Sequence, residues 1–357
     1  MKLKLLPLLL ILFLSSLTFA QGIPGGGGGS GSKLDSTKNF NFMAVPYLNY
    51  SRSLGASFGA VPMAMYKVNK NDTISPASMS GMVGMYTTNK TWFAMFFQKL
   101  YLKEDAWRVT AAGGLASVNF QFYLEPINGF VGYNTNASFL YFDVQRKVIE
   151  DLYVGVHYSL TSANTMLDSI PDINTDTKLQ GTGILSALDK RNDVYYPTNG
   201  SLSNIKWSSF PDFLNNENVS NKIEIDHNQF IAMADNDVLA LRAKGGFGLG
   251  ELAFEQQFIV GQADIRGYSE GKFRGDNMAA IQGEYRMNFE NKFGLVGFFG
   301  LATIWGAINE EDNGKILPGG GAGFRYNIFP KYHMNVGMDA AIGKDDWGIY
   351  FKIGEAF

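Results

Sequence analysis

The chain has 357 residues, 41 of them glycine and none of them cysteine, and its formal net charge is −3. The lack of cysteine excludes disulfides and thiolate metal sites, and the charge excludes the basic footprint of a nucleic-acid-binding protein. Aromatic residues make up 14% of the sequence, which together with the many glycines favours β structure with frequent turns.

The first twenty residues have the pattern of a secretory signal peptide. Lys2 and Lys4 precede an apolar run at 5–14, and small residues end the segment at Ala20. The apolar run is too short to cross a bilayer as a helix. Residues 21–40 contain a glycine-rich stretch, which we interpret as a flexible linker. We therefore predict that residues 1–20 direct export.

Beyond the linker, apolar and polar residues alternate with the period of a β-strand. The clearest segment is 280–289, in which Glu284 falls on the polar face. Segment 331–340 alternates in the same way, with Asp339 on the polar face and Val336 on the apolar face. This pattern predicts a sheet with one apolar and one polar surface.

Two architectures fit such a sheet: a soluble sandwich, and a membrane barrel that turns its apolar face to lipid and keeps its polar face in the lumen. Aromatic-rich apolar faces, short turns alternating with long ones, and the export signal favour the barrel, which also removes exposed sheet edges. We predict an all-β domain at residues 41–357 with sixteen antiparallel strands. Its longer connections are predicted at 122–135, 162–176, 210–219, 249–276 and 306–316.

The connection 249–276, which is the sixth on the long-loop side of the predicted barrel, carries Ile265, Arg266, Gly267 and Tyr268. Gly267 allows a backbone conformation that other residues resist. Arg266 has five donors in a fixed fork, and these need acceptors wherever they are buried. An arginine and a glycine together in a long loop therefore indicate a loop that folds back into an interior.

Three further motifs accompany this loop in chain order. They are a turn after the eighth predicted strand with Asp189, Arg191, Pro197 and Gly200, a fourteenth strand with Gly321, Gly323 and Arg325, and a C-terminal run with Phe351, Ile353 and Phe357. With the loop motif, they resemble the transmembrane barrel of the BamA/TamA-type superfamily, the bacterial surface antigen family that includes two-partner-secretion transporters.

The resemblance implies an outer-membrane barrel with a tucked sixth extracellular loop, in which Arg266 reaches the lumen and pairs with Glu284. A buried arginine without a partner would be costly. The family usually has an acidic residue on strand thirteen, where this chain has Gly300, so Asp339 is the candidate for a second partner. Two roles stay open for Arg266: it holds the loop in place, or it takes part in function. The resemblance also implies that the C-terminal run ending at Phe357 directs barrel assembly.

The function implied is assistance in the insertion or translocation of proteins, or lipids, at the bacterial outer membrane. The expected surroundings are lipopolysaccharide and phospholipid, together with unidentified protein partners. Pro46 lacks a ladder donor, so we predict a weak seam between the first and last strands. Such a seam would open towards lipid or pair with a second copy as a homodimer. Assembly factors of the family carry POTRA domains, and this sequence contains none, so delivery of substrate by its own domains is not expected.

Two alternatives to this function stay open. A passive pore or plugged structural barrel is the first, because sixteen strands enclose enough space for water unless the lumen is filled. An outer-membrane lipid hydrolase is less favoured: His157 and Ser159 share a strand face, but no third group marks them as a catalytic pair. His157, His227 and His333 lie on different predicted strands, so we expect no metal site, no cofactor and no catalytic residue.

Overall fold

The computed structural model describes residues 40–51, 54–124, 129–167, 170–233, 237–253, 256–261, 264–268, 272–289, 292–307, 309–330, 333–355 and 357. The predicted signal peptide, and the predicted linker up to residue 39, lie outside these ranges. Nowhere in them does a helix have the length and apolar character needed to cross a membrane.

Within the described ranges, sixteen long strands and one two-residue strand form a single antiparallel sheet. The two-residue strand β12 lies in the long loop after β11, so the predicted strands twelve to sixteen are β13 to β17. The strands are β1 (Phe40–Ser51), β2 (Gly55–Tyr66), β3 (Ser78–Thr87), β4 (Trp92–Leu102), β5 (Trp107–Leu124), β6 (Gly129–Ile149), β7 (Leu152–Leu167), β8 (Ile170–Asp189), β9 (Gly200–Phe210), β10 (Ser220–Ala232), β11 (Val238–Gly250), β12 (Phe258–Ile259), β13 (Arg274–Asn288), β14 (Phe293–Ala307), β15 (Leu317–Phe329), β16 (Met334–Gly343) and β17 (Asp346–Ile353).

The long strands follow one another around a nearly closed barrel, each paired with its neighbours in chain order. Side chains alternate between the two faces as predicted: on β13, Glu284 is fully buried whereas Ile281 is exposed. The start of β1 lies at one end of the barrel, which we call the short-turn end, together with connections such as 103–106 and 150–151. The longest connection, between β11 and β13, lies at the other end, which we call the long-loop end. The predicted sixteen-stranded antiparallel barrel is confirmed.

Two of the predicted long loops are wrong. Most of 122–135 and 162–176 belongs to strands, because β5 pairs with β6 as far as Leu124↔Gly129 and β7 pairs with β8 as far as Leu167↔Ile170. The residues of 162–176 are largely polar, and Thr135 shares a hydroxyl hydrogen bond with Thr165 across β6 and β7. A ladder with polar side chains on both faces lacks the apolar alternation by which sequence reasoning recognises a membrane strand.

The barrel has one seam, between β1 and β17. Strand β1 pairs with β2 along its whole length, but the only β1–β17 pair among the described residues is Tyr50↔Ile349. At the same level, the rings of Tyr50 and Trp347 stack with their centres 5.5 Å apart. The seam is therefore joined at the long-loop end and lacks a ladder towards the short-turn end. The predicted seam between the first and last strands is therefore present, with a single pair in place of a ladder over the described ranges.

From Tyr50 towards the short-turn end, the edge of β17 lies on the lumen side of the edge of β1. Phe351 and Ile353 share the outward face of β17 with the exposed Trp347, yet both are buried. They belong to an apolar cluster that also contains the inward-facing Val45 and Tyr47 of β1. An outward side chain can join inward ones only where the two edges overlap, so apolar contact takes the place of the missing ladder.

This overlap fills one side of the lumen with apolar side chains. The cluster includes the inward-facing Met63, Met79, Phe93 and Phe97 of β2 to β4. The expectation of a polar lumen is therefore wrong for this half of the barrel. The reason is that the inner wall here packs against protein and not against water, and buried positions are mostly occupied by apolar residues.

The overlap predicts a difference in chemical accessibility between two positions on the same face of β16. Val336 and Ile342 both point away from the lumen, but their exposed fractions are 8% and 69%. Because the chain has no cysteine, single Val336→Cys and Ile342→Cys variants can be labelled with a membrane-soluble maleimide. If exposing position 336 needs a local opening of about 3 kcal/mol, its labelling should be roughly 100-fold slower. Equal rates would contradict the overlap.

Candidate functional site

Arg266 lies between two carboxylates from different strands. Its Nη2 donates to Oε2 of Glu284 on β13 at 2.7 Å, and its Nη1 donates to Oδ2 of Asp339 on β16 at 2.5 Å. The guanidinium carbon lies 3.4 Å from the ring centre of Phe298 on β14. All three charged side chains are at most 1% exposed, so each needs the charge of the others.

Two further arginines complete the cluster. Nε of Arg286 donates to Oε1 of Glu284 at 2.8 Å. Arg325 donates through Nη1 to Oδ1 of Asp339 at 2.6 Å and through Nε to Oε2 of Glu355 at 2.9 Å. Three guanidinium groups thus face three carboxylates, so the formal charges of these six groups balance, as ions away from water require. The ammonium of Lys352 on β17 lies near enough to act on the same carboxylates. We call this set the ion cluster: Arg266, Arg286, Arg325, Glu284, Asp339 and Glu355.

The residues around Arg266 pack closely against the wall. Gly267 has a φ of +118°, and a Cβ there would lie 2.5 Å from the carbonyl oxygen of Ile342; both facts require glycine. A Cβ on Gly300 would lie 2.7 Å from Cγ2 of Ile265. The side chain of Ile265 therefore uses the space beside the position at which the family usually has its acidic residue.

Tyr268 and Tyr350 connect the loop motif to the last strand. The Tyr350 hydroxyl on β17 accepts a hydrogen bond from the Gly267 amide at 2.9 Å and donates to the Tyr268 carbonyl at 3.1 Å. The Tyr268 hydroxyl donates to the Pro318 carbonyl on β15 at 2.6 Å. The four-residue motif thus contacts β13 to β17. The tucked path of the whole loop stays a prediction, because 254–255, 262–263 and 269–271 lie outside the described residues.

The turn motif forms a second buried ion group near the short-turn end. Arg191 holds Asp189 through Nε and Nη2 at 2.7 and 2.9 Å, and Arg108 donates to the same carboxylate at 2.7 Å. Gly200 begins β9, and Pro197 is buried in the turn between. The carboxylate of Asp189 therefore joins β5 to the β8–β9 turn.

The network continues to the next turns. Arg108 also donates to Asp105 at 2.7 Å, and the Asp105 amide donates to the Ser75 hydroxyl, also at 2.7 Å. Ser75 in turn donates to Asp72 through its hydroxyl and its amide, which holds the pKa of that carboxyl well below its usual range. The turns 67–77, 103–106 and 190–199 are thus joined by charged and polar groups.

The 190–199 turn also crosses the end of the barrel. The Tyr195 hydroxyl donates to the Ala77 carbonyl before β3, and Asn288 at the end of β13 donates to the Tyr196 hydroxyl. His333, between β15 and β16, lies 2.9 Å from Asp193. These partners come from separate parts of the wall, so the turn spans the short-turn mouth of the lumen.

The C-terminal run does not lie wholly within the last strand. Strand β17 ends at Ile353, and the chain turns at Gly354, where φ is +82°. Phe357 packs with Phe230 and with residues of β11, and its carbonyl accepts a hydrogen bond from Arg286 at 2.7 Å. The physical reason is that Glu355 is drawn into the ion cluster. A role of Phe351, Ile353 and Phe357 as an assembly signal stays a prediction.

Several residues of the site were missed by sequence reasoning. Arg286 could have been identified, because it lies two positions from Glu284 and thus on the same strand face. Tyr350, Phe298 and Glu355 gave no such signal, since their contacts join segments far apart in the chain. On β15, Gly321 and Gly323 lie two and four residues before Arg325, and Gly323 pairs directly with Asp339.

The histidine and serine considered for hydrolysis do not meet. Nε2 of His157 lies 3.2 Å from both the Ser208 hydroxyl and the Trp207 carbonyl. The Ser159 hydroxyl instead faces the Gly181 carbonyl at 3.5 Å. Over the described part of the chain, no three acidic, histidine or cysteine side chains are grouped as metal ligands would be.

Replacing the central arginine tests the importance of the ion cluster for stability. Arg266→Ala leaves Glu284 and Asp339 buried with fewer cationic partners, which we expect to lower the free energy of unfolding by about 3–5 kcal/mol. Arg266→Lys should lose part of this, because a single ammonium lacks the fork that spans two carboxylates. Urea unfolding in detergent, followed by heat-dependent gel mobility, measures the loss. The matched control is Arg146→Ala, at an exposed position of β6; equal stability of the two alanine variants would contradict the prediction.

Three solved outer-membrane barrels are similar to this structure. CdiB from Acinetobacter baumannii matches with a TM-score of 0.61 and 14% identity, over 93% of this chain and 64% of that one. CdiB from Escherichia coli gives 0.64 and 11%, over 93% and 66%. BamA from Haemophilus ducreyi, in a structure lacking POTRA domains 1–3, gives 0.55 and 12%, over 96% and 77%. The chain therefore spans less than two thirds of either CdiB, and at these identities the likeness establishes the fold alone.

No curated protein matches the sequence. The family model that describes the Omp85 superfamily domain, however, matches residues 26–357, which is nearly the whole chain. The predicted resemblance to BamA/TamA-type barrels is thereby confirmed, and the chain belongs to the Omp85 superfamily.

Proposed function

We propose that this barrel assists the insertion or translocation of proteins, or lipids, at the bacterial outer membrane through the β1–β17 seam. The observation that carries the proposal is the lone Tyr50↔Ile349 pair among the described residues of the two end strands. Every other pair of neighbouring long strands forms an extended ladder. The family and its barrel neighbours support a location in the outer membrane and a role of this general kind.

The seam offers an edge on which another strand can form. A strand edge with unpaired backbone groups is a template for β-augmentation. Lipid makes an unpaired backbone group costly, so an arriving strand that supplies the missing hydrogen bonds would be favoured there. The overlap of Phe351 and Ile353 with Val45 and Tyr47 covers this edge in the resting barrel, and separation of the two strands would uncover it.

The contacts of the loop motif support a role in controlling that separation. Gly267 and Tyr268 are bonded to Tyr350 of β17, while Arg266 is bonded to β13 and β16. We propose that the sixth loop tucks into the lumen and holds the last strands in one position through the ion cluster. In this proposal Arg266 takes part in function by setting how easily β17 leaves β1.

Export, surroundings and partners belong to the same proposal. Residues 1–20 would direct export, residues 41–357 would form the barrel, and residues 21–40 would be a flexible linker between them. Lipopolysaccharide and phospholipid would surround the wall, and protein partners would deliver or receive the cargo. A second copy of the chain is a further candidate partner, since two open edges can pair with each other in a homodimer.

A plugged structural barrel is the rival function. The apolar cluster that fills one side of the lumen favours a plugged barrel over an open pore. Deleting 255–275 should raise single-channel conductance if the sixth loop is the plug.

The hydrolase alternative has less support, because His157 and Ser159 contact different partners. This alternative requires that the protein hydrolyses lipid and that replacing either residue abolishes the hydrolysis.

A reversible tether across the seam tests the proposal. Tyr50→Cys with Ile349→Cys places two thiols at paired positions in a chain that otherwise has no cysteine. The readout is the folding rate of an unfolded outer-membrane protein on liposomes that contain the purified barrel. We expect oxidation to slow this folding roughly tenfold, as a barrier higher by about 1.4 kcal/mol would, and reduction to restore it.

The matched control joins β1 to its other neighbour. Leu48→Cys with Phe58→Cys also lies at a paired position, but this tether leaves the seam free. Oxidation of the control should not change the rate. An oxidised seam pair that works as fast as the reduced one would exclude the seam as the route. A barrel that never accelerates folding, tethered or not, would favour the plugged structural alternative.

A further inference from the structure

A cavity of about 140 Å³ lies in the lumen on the side opposite the seam. Its size corresponds to on the order of ten water molecules, at about 10–15 Å³ each. The walls are the inner faces of β4 to β6 and β8 to β11, and the lining is rich in charge. The charged lining residues are Lys99, Arg108, Arg191, Lys206, Arg242 and Lys244, together with Asp143, Glu224 and Asp226.

The three arginines of the lining are already compensated. Arg108 and Arg191 are bound to Asp189 within the turn network. Arg242 donates to Oδ2 of Asp226 through Nε at 2.8 Å and Nη2 at 2.5 Å. Their charges therefore contribute little to the net field inside the cavity.

In the described part of the chain, the three lysines of the lining have no carboxylate in hydrogen-bond contact. Lys206 is opposite Glu224 in the β9–β10 ladder, and Lys244 is opposite Asp226 in the β10–β11 ladder. Even so, among the described residues neither of them, nor Lys99, has a carboxylate oxygen within 4.0 Å. The ammonium of Lys206 instead lies 4.7 Å from the ring centre of Tyr141.

The remaining groups leave an excess of positive charge, to which Lys222 beside Glu224 on β10 also contributes. Three ammonium groups face two carboxylates, those of Asp143 and Glu224, and Asp143 also accepts a hydrogen bond from Gln145 at 3.1 Å. Ammonium groups without a close carboxylate favour an added anion inside the lumen, where water screens charge less than in bulk solution. Lysine is a common phosphate ligand because it brings a compact charge with three rotatable donors.

We propose that this cavity binds one phosphate-type oxyanion, held by Lys99, Lys206 and Lys244. A phosphate group brings the negative charge that this excess of positive charge favours, and it fits the cavity of about 140 Å³ with some of its water. The proposal does not depend on whether the seam opens. It adds a ligand site to the lumen wall, on strands that take no part in the ion cluster.

The phosphate group could come from free phosphate or from a phospholipid. Tyr141 lines the cavity and also belongs to the apolar cluster that fills the seam side of the lumen. An acyl chain attached to the bound phosphate would therefore have apolar side chains beside it. The two sources share the same headgroup chemistry, so the experiment needs one arm for each.

The first arm is calorimetric titration of the full-length barrel, in a neutral detergent, with inorganic phosphate against sodium chloride of equal ionic strength. We expect saturable binding of phosphate that weakens at least tenfold in Lys206→Gln with Lys244→Gln. The control is Lys178→Gln, an exposed position of β8 outside the cavity. Heat-dependent gel mobility verifies that each variant is folded.

The second arm compares nanodiscs of phosphatidylglycerol with nanodiscs of phosphatidylcholine by measuring the lipid retained after extraction. Retention of phosphatidylglycerol that is lost in the double variant, without binding of inorganic phosphate, identifies a lipid as the source and supports the site. Binding of either ligand that the double variant leaves unchanged overturns the site. No binding in either arm overturns it as well, and the cavity then holds water.

Discussion

The structure depends on a buried guanidinium, that of Arg266, whose positive charge must be compensated by carboxylates of the barrel wall. Arg266 comes from a loop, Glu284 from β13 and Asp339 from β16, and removing any one would leave the others in a low-dielectric interior. The cluster is neutral only when three arginines and three carboxylates from the loop, the strands and the C-terminal residues are all present. It therefore fixes the loop, the last strands and the chain end relative to one another.

The same constraint explains why the barrel has its seam at this place. Glu355 is drawn inwards to Arg325, and the end of β17 follows it. The edge of β17 then lies on the lumen side of β1. A ladder therefore cannot form between Tyr50 and the short-turn end, and apolar contacts take the place of the ladder. Apolar contact is less directional than a hydrogen-bond ladder, and the proposed opening would separate the two neighbouring long strands that share a single ladder pair among the described residues. A stable barrel and a weak junction thus have a common origin.

Much of the fold could be predicted from the sequence, because membrane strands have a regular period and the loop motif is short and specific. The number of strands, their order and the weak first-to-last junction all follow from local patterns. The buried positions of Val336, Phe351 and Ile353 could not, since alternation assigns a face but not what covers that face. The extended ladder of β7 and β8 was missed because polar residues occupy both of its faces. Tyr350 and Glu355 were missed because their partners are distant in sequence.

The central claim is that the ion cluster holds β17 beside an edge that lacks a ladder. Hydrogen–deuterium exchange of the backbone amides tests it most directly, in the native chain and in Arg266→Ala. The account predicts faster exchange in β17 than in β6 and β7, which are paired on both sides, and a further increase in β16 and β17 when Arg266 is removed. Protection of β17 equal to that of β6 and β7, unchanged by the substitution, would contradict it.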